Sequence, residues 1–331
     1  MISVSANSWF GVWMGLEINL LSFIPLITIK NNLNNSEASL NYFLIQAFGS
    51  TVILFSIIIY LIFINLNFFL KLNNYLFNFL NFLPLLLISF TLMLKIGVAP
   101  FHFWFPNVIE NISWLNNLIL ITWQKFAPLI IISYLVNLNI LFIIFVIIST
   151  FIGAIGGLNQ TSLRKLIAFS SINHMGWMIG GIIFNENLWL IYFLIYIFIN
   201  FRLLIIFKIF QVFYLSQIYS IFINSYILKI FLLISILSLG GLPPFLGFIP
   251  KWIIIQSFIF IKINFINLFI ICIRLITLFY YLKIIYAAFL INYNEFNWNY
   301  KNFYNNNNFI FIINLNFISL FRFFFFINII Y

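Results

Sequence analysis

The sequence contains no aspartate, and glutamate supplies all 5 of its acidic residues. Charged residues make up only 6% of the 331 positions, whereas an ordinary globular domain carries about 25%. Hydrophobic residues make up 65% of the chain. Because so little charge cannot cover a water-soluble domain of useful size, the composition indicates a polytopic membrane protein with the lipid bilayer as a partner.

Residues that bind cofactors are equally scarce. The chain has one cysteine, Cys272, and two histidines, His102 and His174, so it has no cluster for an iron–sulfur centre or zinc. A glycine-rich phosphate loop and a dinucleotide fingerprint are also missing from the sequence. Two histidines could ligate one haem, but structural or proton-relay roles suit them better. We therefore expect no metal and no cofactor on this chain.

Basic residues outnumber acidic ones, with 15 Lys and Arg and a formal net charge of +10. They are scattered along the chain and form no cluster of the kind that binds nucleic acid. Loop charges that orient a membrane protein and lysines buried within it explain the excess better.

Apolar runs between polar segments predict an all-α, polytopic transmembrane helix bundle that forms a single domain over residues 1–331. The predicted repeat halves are residues 1–136 and 137–291, followed by a C-terminal helix at 308–330. About ten spans are expected, at about 9–29, 40–66, 78–97 with a broken continuation to 112, 115–135, 138–158, 164–184, 187–215, 226–262 with a break in its middle, 264–291 and 308–330.

An internal repeat interrupts two of the apolar runs. The stretch GVAPFHFWFP at 97–106 matches GLPPFLGFIP at 241–250, at a spacing of 144 residues. Paired interruptions of this kind in the two halves of a membrane protein indicate the ion or substrate path of a transporter. The matching pairs are Gly97 and Gly241, Pro100 and Pro244, Phe101 and Phe245, and Pro106 and Pro250.

Four ionisable residues lie deep within apolar runs, namely Glu17, Lys95, Lys125 and Lys251. Together they would cost on the order of 10 kcal/mol in lipid, so pairing and hydration must offset that cost. Glu17 is the one acid near the middle of a span. It is the natural partner of one of the lysines, and we expect that lysine to be Lys95.

Such a group of charges suits proton transfer. Burial favours the neutral form of a lysine and a nearby carboxylate favours the charged form, so moving the carboxylate switches the lysine between holding and releasing a proton. Water joining the three lysines would form a relay. Alternatively, a single lysine can extend to the membrane surface. Extension to the membrane surface, or a place at a helix end, explains some basic residues at least as well as a functional role does, namely Arg202, Lys208, Lys229, Arg274 and Lys283. Lys208 stays a secondary relay candidate, together with His102 and His174.

Several stretches resemble one known family, the mitochondrial NADH–ubiquinone oxidoreductase chain 2 family of antiporter-like subunits in respiratory complex I. The resemblance covers about the first three-quarters of the chain. Its most specific block is GGLNQTSLRKLIAFSSINHMGW at 156–177. The other matching stretches are WMGLEINLLSFIPL at 13–26, SEASLNYFL at 36–44, KIGVAPFHFWFP at 95–106, TWQKFAP at 122–128 and GGLPPFLGFIPKW at 240–252.

The resemblance implies a helix bundle with two inverted repeats, each holding a discontinuous helix. It implies a proton path that begins at a Glu17–Lys95 pair and continues through Lys125 to Lys251. The family is multi-pass in the mitochondrial inner membrane, among other membrane-arm subunits of complex I. NADH, flavin, iron–sulfur clusters and ubiquinone are expected on partner subunits. The alternative function is a stand-alone cation/proton antiporter, although many of these use a membrane aspartate, which this chain lacks.

Overall fold

The computed structural model describes residues 2–28, 32–70, 74–135, 139–221, 226–262 and 264–289. Within these ranges the chain is helical, and its isolated backbone bridge between Ser162 and Tyr214 belongs to no strand. The predicted all-α class is therefore confirmed. The predicted helix at 308–330 lies outside the described residues.

Apolar runs and the polar or Gly/Pro residues between them set the helix bounds. The helices are α1 (Ile2–Ser5), α2 (Trp9–Thr28), α3 (Leu33–Leu70), α4 (Asn74–Ile96), α5 (Trp104–Asn111), α6 (Trp114–Ile121), α7 (Trp123–Ser133), α8 (Asn139–Leu158), α9 (Leu163–Phe184), α10 (Glu186–Phe210), α11 (Leu215–Ile221), α12 (Tyr226–Gly240), α13 (Phe248–Phe260) and α14 (Asn264–Phe289).

In the described ranges, 7 helical segments are long and apolar enough to cross a membrane. Shorter apolar helices lie at 82–96, 230–240 and 248–260, where the two predicted breaks interrupt the chain. Large apolar side chains such as Leu194 and Leu275 remain on exposed helix faces. Lipid tails accept these faces because they are as apolar as the protein interior.

Two of the predicted spans contain a feature that the sequence did not indicate: the first, Trp114–Ser133, has an internal division, and the second, Glu186–Phe210, ends earlier. The span at 115–135 consists of α6 and α7, which are divided at Thr122. Its hydroxyl donates to the Leu118 carbonyl, and a local bond of this kind competes with helix continuation. The span at 187–215 ends earlier, because Gln211 adopts a left-handed conformation with φ of 53° immediately after α10.

The described residues divide into two compact units on either side of the Phe145–Val146 peptide bond. In the first unit, α3 packs against α2, α4 and α5, while α7 packs against α4 and α6. In the second unit, α13 packs against α9, α10 and α14, and α12 packs against α10 and α14. Each unit contains one of the predicted breaks. The predicted repeat halves at 1–136 and 137–291 remain a prediction.

Candidate functional site

The first break follows the end of α4 and depends on Gly97. This residue has a φ of +78°, a left-handed conformation that glycine adopts without the cost of a Cβ atom. Its N–H donates to the Met93 and Leu94 carbonyls, both at 3.1 Å, and the Val98 N–H donates to Met93 at 3.0 Å. The helix is therefore closed by a left-handed turn.

Neutral side chains satisfy carbonyls in the last turn of α4. The Trp104 indole Nε1–H donates to the Leu94 carbonyl at 3.1 Å. The Gln46 Nε2 amide donates to the Lys95 carbonyl, also at 3.1 Å. A helix can end at membrane depth only where such partners exist, because lipid offers no hydrogen bonds. α3 and α5 thus stabilise the break.

Lys95 and Lys125 line one small cavity in the first unit. Lys95 is 7% exposed in the last turn of α4, and Lys125 is 2% exposed in the first turn of α7. The cavity has a volume of about 20 Å³, enough for about one water molecule. The Lys125 ammonium also lies 4.1 Å from the centroid of the Phe105 ring, within the range of a cation–π contact. The structure therefore brings two predicted site residues together.

Glu17 projects from α2, which also lines this cavity. Its side chain is half-buried, and its charge acts on Lys95. Attraction between the carboxylate and the ammonium offsets part of the cost of burying Lys95. The choice of Lys95 as the partner of Glu17 remains a prediction.

A polar network that the sequence analysis did not single out lies beside the two lysines. The Asn19 amide donates to Gln124 Oε1 at 2.7 Å, and the Tyr42 hydroxyl lies 3.5 Å from the same oxygen. All three side chains line the lysine cavity. Their positions in the sequence could have indicated a place near the site, because Asn19 follows Glu17 by two residues and Gln124 immediately precedes Lys125.

The second break repeats the backbone design of the first. Gly241 has a φ of +75°, and its N–H donates to Leu237 at 3.0 Å and to Ser238 at 3.1 Å. The Leu242 N–H donates to Leu237 at 3.4 Å. Each of these groups lies 144 residues after its counterpart at the first break. The sequence repeat is therefore also a repeat of backbone hydrogen bonds.

Cations, rather than neutral side chains, cover the end of α12 at the second break. Lys251 Nζ donates to the Leu239 carbonyl at 2.8 Å and to the Gly240 carbonyl at 3.1 Å. The Arg274 guanidinium donates to the Gly241 carbonyl, and Arg202 Nη2 donates to Ser238 Oγ at 3.0 Å. The negative end of the helix dipole favours positive charge at this position.

Of these cations, Lys251 is 2% exposed and Arg202 is 1% exposed. Arg202 is therefore packed inside the second unit and does not lie on its surface. Arg274 is half-buried in α14, and its guanidinium lies 5.4 Å from the Phe248 ring centroid. The sequence does not identify these arginines as site residues, because hydropathy does not show which helix face a cation occupies.

Comparison with known proteins places the chain in a family. Residues 6–277 match the model of the NADH:quinone oxidoreductase/Mrp antiporter transmembrane family. The chain belongs to this family. It is 51% identical over 322 residues to NADH-ubiquinone oxidoreductase chain 2 of Aedes aegypti, and 49% identical over 321 residues to that of Anopheles gambiae. Each alignment covers 97% of this chain and 91% of the relative. The resemblance inferred from the sequence motifs is confirmed.

The fold is also similar to that of a solved structure. A chain of respiratory complex I from Thermus thermophilus superposes with a TM-score of 0.80 at 21% identity. The similarity covers 96% of this chain and 74% of that one. The family match at 6–277 includes both breaks and the candidates Glu17, Lys95, Lys125 and Lys251.

The secondary candidates lie in different surroundings. His174 is buried in α9, where its Nδ1 lies 2.8 Å from the Tyr192 hydroxyl. His102 lies in the first break, with Nδ1 3.2 Å from the Pro100 carbonyl oxygen. Lys208 is exposed in the last turn of α10, which favours a helix-end role over a relay role. Each histidine therefore has a polar neighbour inside the helix bundle, whereas Lys208 lies on the surface.

The described residues contain no group of three His, Cys, Asp or Glu side chains that could hold a metal ion. The single cysteine, Cys272, is exposed on α14.

Proposed function

We propose that this chain is a membrane-arm subunit of respiratory NADH:ubiquinone oxidoreductase that translocates protons in the mitochondrial inner membrane. The names of its insect relatives and its family support the assignment to that complex. The observation that carries the proton-transfer role is the cavity shared by Lys95 and Lys125. In this proposal Glu17, Lys95 and Lys125 act in the first unit, and Lys251 acts in the second.

The cavity that Lys95 and Lys125 share supports proton transfer in the first unit. One water in the cavity can accept a proton from one ammonium and donate a proton to the other, neutral lysine. The Glu17 carboxylate attracts the proton to Lys95, so a shift of α2 changes how strongly Lys95 holds it. The Asn19 amide and the Tyr42 hydroxyl offer further hydrogen bonds to water at the same cavity.

Lys251 has a different environment from the first two lysines. Its ammonium donates to two carbonyls at the end of α12, and both contacts weaken when the side chain loses its proton and its charge. Proton loss at Lys251 would therefore loosen the second break. This gives the second unit a way to couple a change of charge to a change of structure.

We further propose that the chain carries no cofactor of its own. The donor set supports this, since 2 histidines and 1 cysteine cannot ligate an iron–sulfur cluster, and nothing in the sequence matches a nucleotide-binding loop. NADH, flavin, iron–sulfur clusters and ubiquinone would then bind to partner subunits, and electron transfer there would drive proton transfer here. The partners are other membrane-arm subunits and the lipid bilayer, with no nucleic acid.

The test is proton translocation by the assembled complex carrying Lys125→Met. We expect NADH oxidation with reduced proton uptake per NADH, measured in inverted membrane vesicles with a fluorescent pH probe. Lys283→Met is the matched control, because Lys283 is an exposed lysine on α14. Proton uptake by assembled Lys125→Met at the wild-type ratio would refute the site assignment.

The family also includes Mrp antiporters, so a stand-alone cation/proton antiporter is the second candidate function. The two functions differ in the protein's surroundings. A complex I subunit migrates with NADH-oxidising activity on a native gel. An antiporter migrates apart from that activity and exchanges sodium or potassium for protons in vesicles without NADH.

A further inference from the structure

More cations contact the carboxyl end of α12 than are needed to balance the partial negative charge of that helix end. Three cations from three helices contact the four consecutive residues Ser238–Gly241, and we call Arg202, Lys251 and Arg274 the α12 cation cap. The carbonyl end of a helix is equivalent to about half a negative charge. One cation would match that charge, so the three cap cations also repel one another.

The first break shows that cations are not needed to close such an end. There, the same left-handed turn is covered by the neutral donors Gln46 and Trp104. The charged group that acts on Lys95 is the acid Glu17. The charged group that acts on Lys251 is Arg274, a second cation. Glu17 and Arg274 therefore act on these two lysines with charges of opposite sign.

No buried carboxylate compensates for the cap in the described part of the second unit. Its described acid, Glu186, is exposed at the start of α10. Lys251 and Arg274 also converge closely, since a Cβ on Gly241 would lie 2.9 Å from Lys251 Cδ and 3.2 Å from Arg274 Nη2. An arginine keeps its proton in proteins, whereas a buried lysine can lose it. Repulsion in the cap is therefore relieved by proton loss from Lys251.

We propose that Arg274 is a positioning residue whose fixed charge drives proton release from Lys251. This inference rests on the proposed function, in which Lys251 transfers protons. The Gly241 carbonyl and the Phe248 ring hold the guanidinium beside the break. Arg274 thus performs for Lys251 the reverse of what Glu17 performs for Lys95.

The test separates the charge of Arg274 from its hydrogen bond. In the assembled complex, Arg274→Lys retains charge and donor, Arg274→Gln retains a donor without charge, and Arg274→Met retains neither. For each variant, the number of protons translocated per NADH oxidised is compared with the number for Lys251→Met in the same vesicle assay. We expect Arg274→Lys to retain more proton translocation than Arg274→Gln and Arg274→Met, and we expect these two neutral variants to lose the same fraction as Lys251→Met.

A second variant guards against failed assembly. Arg274→His should pump near the wild-type ratio at about pH 6 and lose that ratio at about pH 8, as the imidazole loses its charge. The same preparation of Arg274→His is measured at both pH values. If Arg274 had a purely structural role, the number of protons translocated per NADH oxidised would therefore be the same at both. Wild-type pumping by assembled Arg274→Gln, or an unchanged ratio for Arg274→His, would overturn the inference. Wild-type pumping by Lys251→Met would instead refute the proposed role of Lys251.

Discussion

Adjacent glycines at the second break give a sharp test of its geometry. Gly240 is the last residue of α12, and a Cβ there would have ordinary contact with Tyr281 Cδ2 at 3.6 Å. Gly241 has a φ of +75°, and a Cβ there would lie 2.9 Å from Lys251 Cδ and 3.1 Å from the Gly247 carbonyl oxygen. The same substitution to alanine therefore meets an ordinary contact at position 240, and both backbone strain and crowding at position 241.

The expected magnitudes follow from these surroundings. Alanine with a positive φ costs about 1–3 kcal/mol, before any movement of Lys251. Gly240→Ala should instead be neutral or gain up to about 1 kcal/mol, because alanine has the higher helix propensity. A difference of about 2 kcal/mol corresponds to a change of about 30-fold in an equilibrium constant.

Two assays check this expectation. The first measures, on native gels, how much complex remains assembled after graded heating. The second measures proton uptake per NADH oxidised. Gly241→Ala should lose assembled complex at a lower temperature than Gly240→Ala, and it should pump less because Lys251 must shift from its two carbonyls. Equal behaviour of the two variants in both assays would show that the left-handed turn and its cations are not as described.

Two further predictions concern the first break. Gln46→Leu leaves the buried Lys95 carbonyl without its side-chain donor, so the assembled complex should lose about 1–3 kcal/mol of stability, seen as a lower dissociation temperature on native gels. Gln46→Glu should not rescue it, since an ionised carboxylate cannot donate. Trp104→Phe removes the donor to the Leu94 carbonyl and should cost a similar amount in the same heating assay; heat stability equal to wild type would mean that this bond contributes nothing.

The breaks and their lysines could be predicted because their signals are local. Glycine and proline are rare in this chain, so the recurrence of Gly97 and Pro100 at Gly241 and Pro244 was informative. Burial of Lys125 followed from its place within an apolar run, because a spanning helix leaves few positions near water. The family resemblance followed from motifs of the same kind, such as the block at 156–177.

Features that depend on contacts distant in sequence could not be predicted. Asn19 and Gln124 are 105 residues apart and meet only because α2 and α7 both line one cavity. The division of α6 from α7 at Thr122 is local, but hydropathy cannot detect a single side-chain bond to the backbone. The proposed role of Arg274 depends on the face of α14 that it occupies, and the sequence of that helix has no strong amphipathic pattern.

The same left-handed glycine turn ends a helix in each unit, but the charges that act on the lysines beside the two turns differ in sign. A left-handed glycine closes a helix in each unit, and the freed carbonyls need donors in both. Neutral donors at the first break leave Lys95 to be governed by the attraction of Glu17. Cationic donors at the second break surround Lys251 with repulsion. Attraction suits a lysine that takes up a proton, and repulsion suits one that gives it up, so in the proposed function the donors at each helix end would give the two lysines different roles.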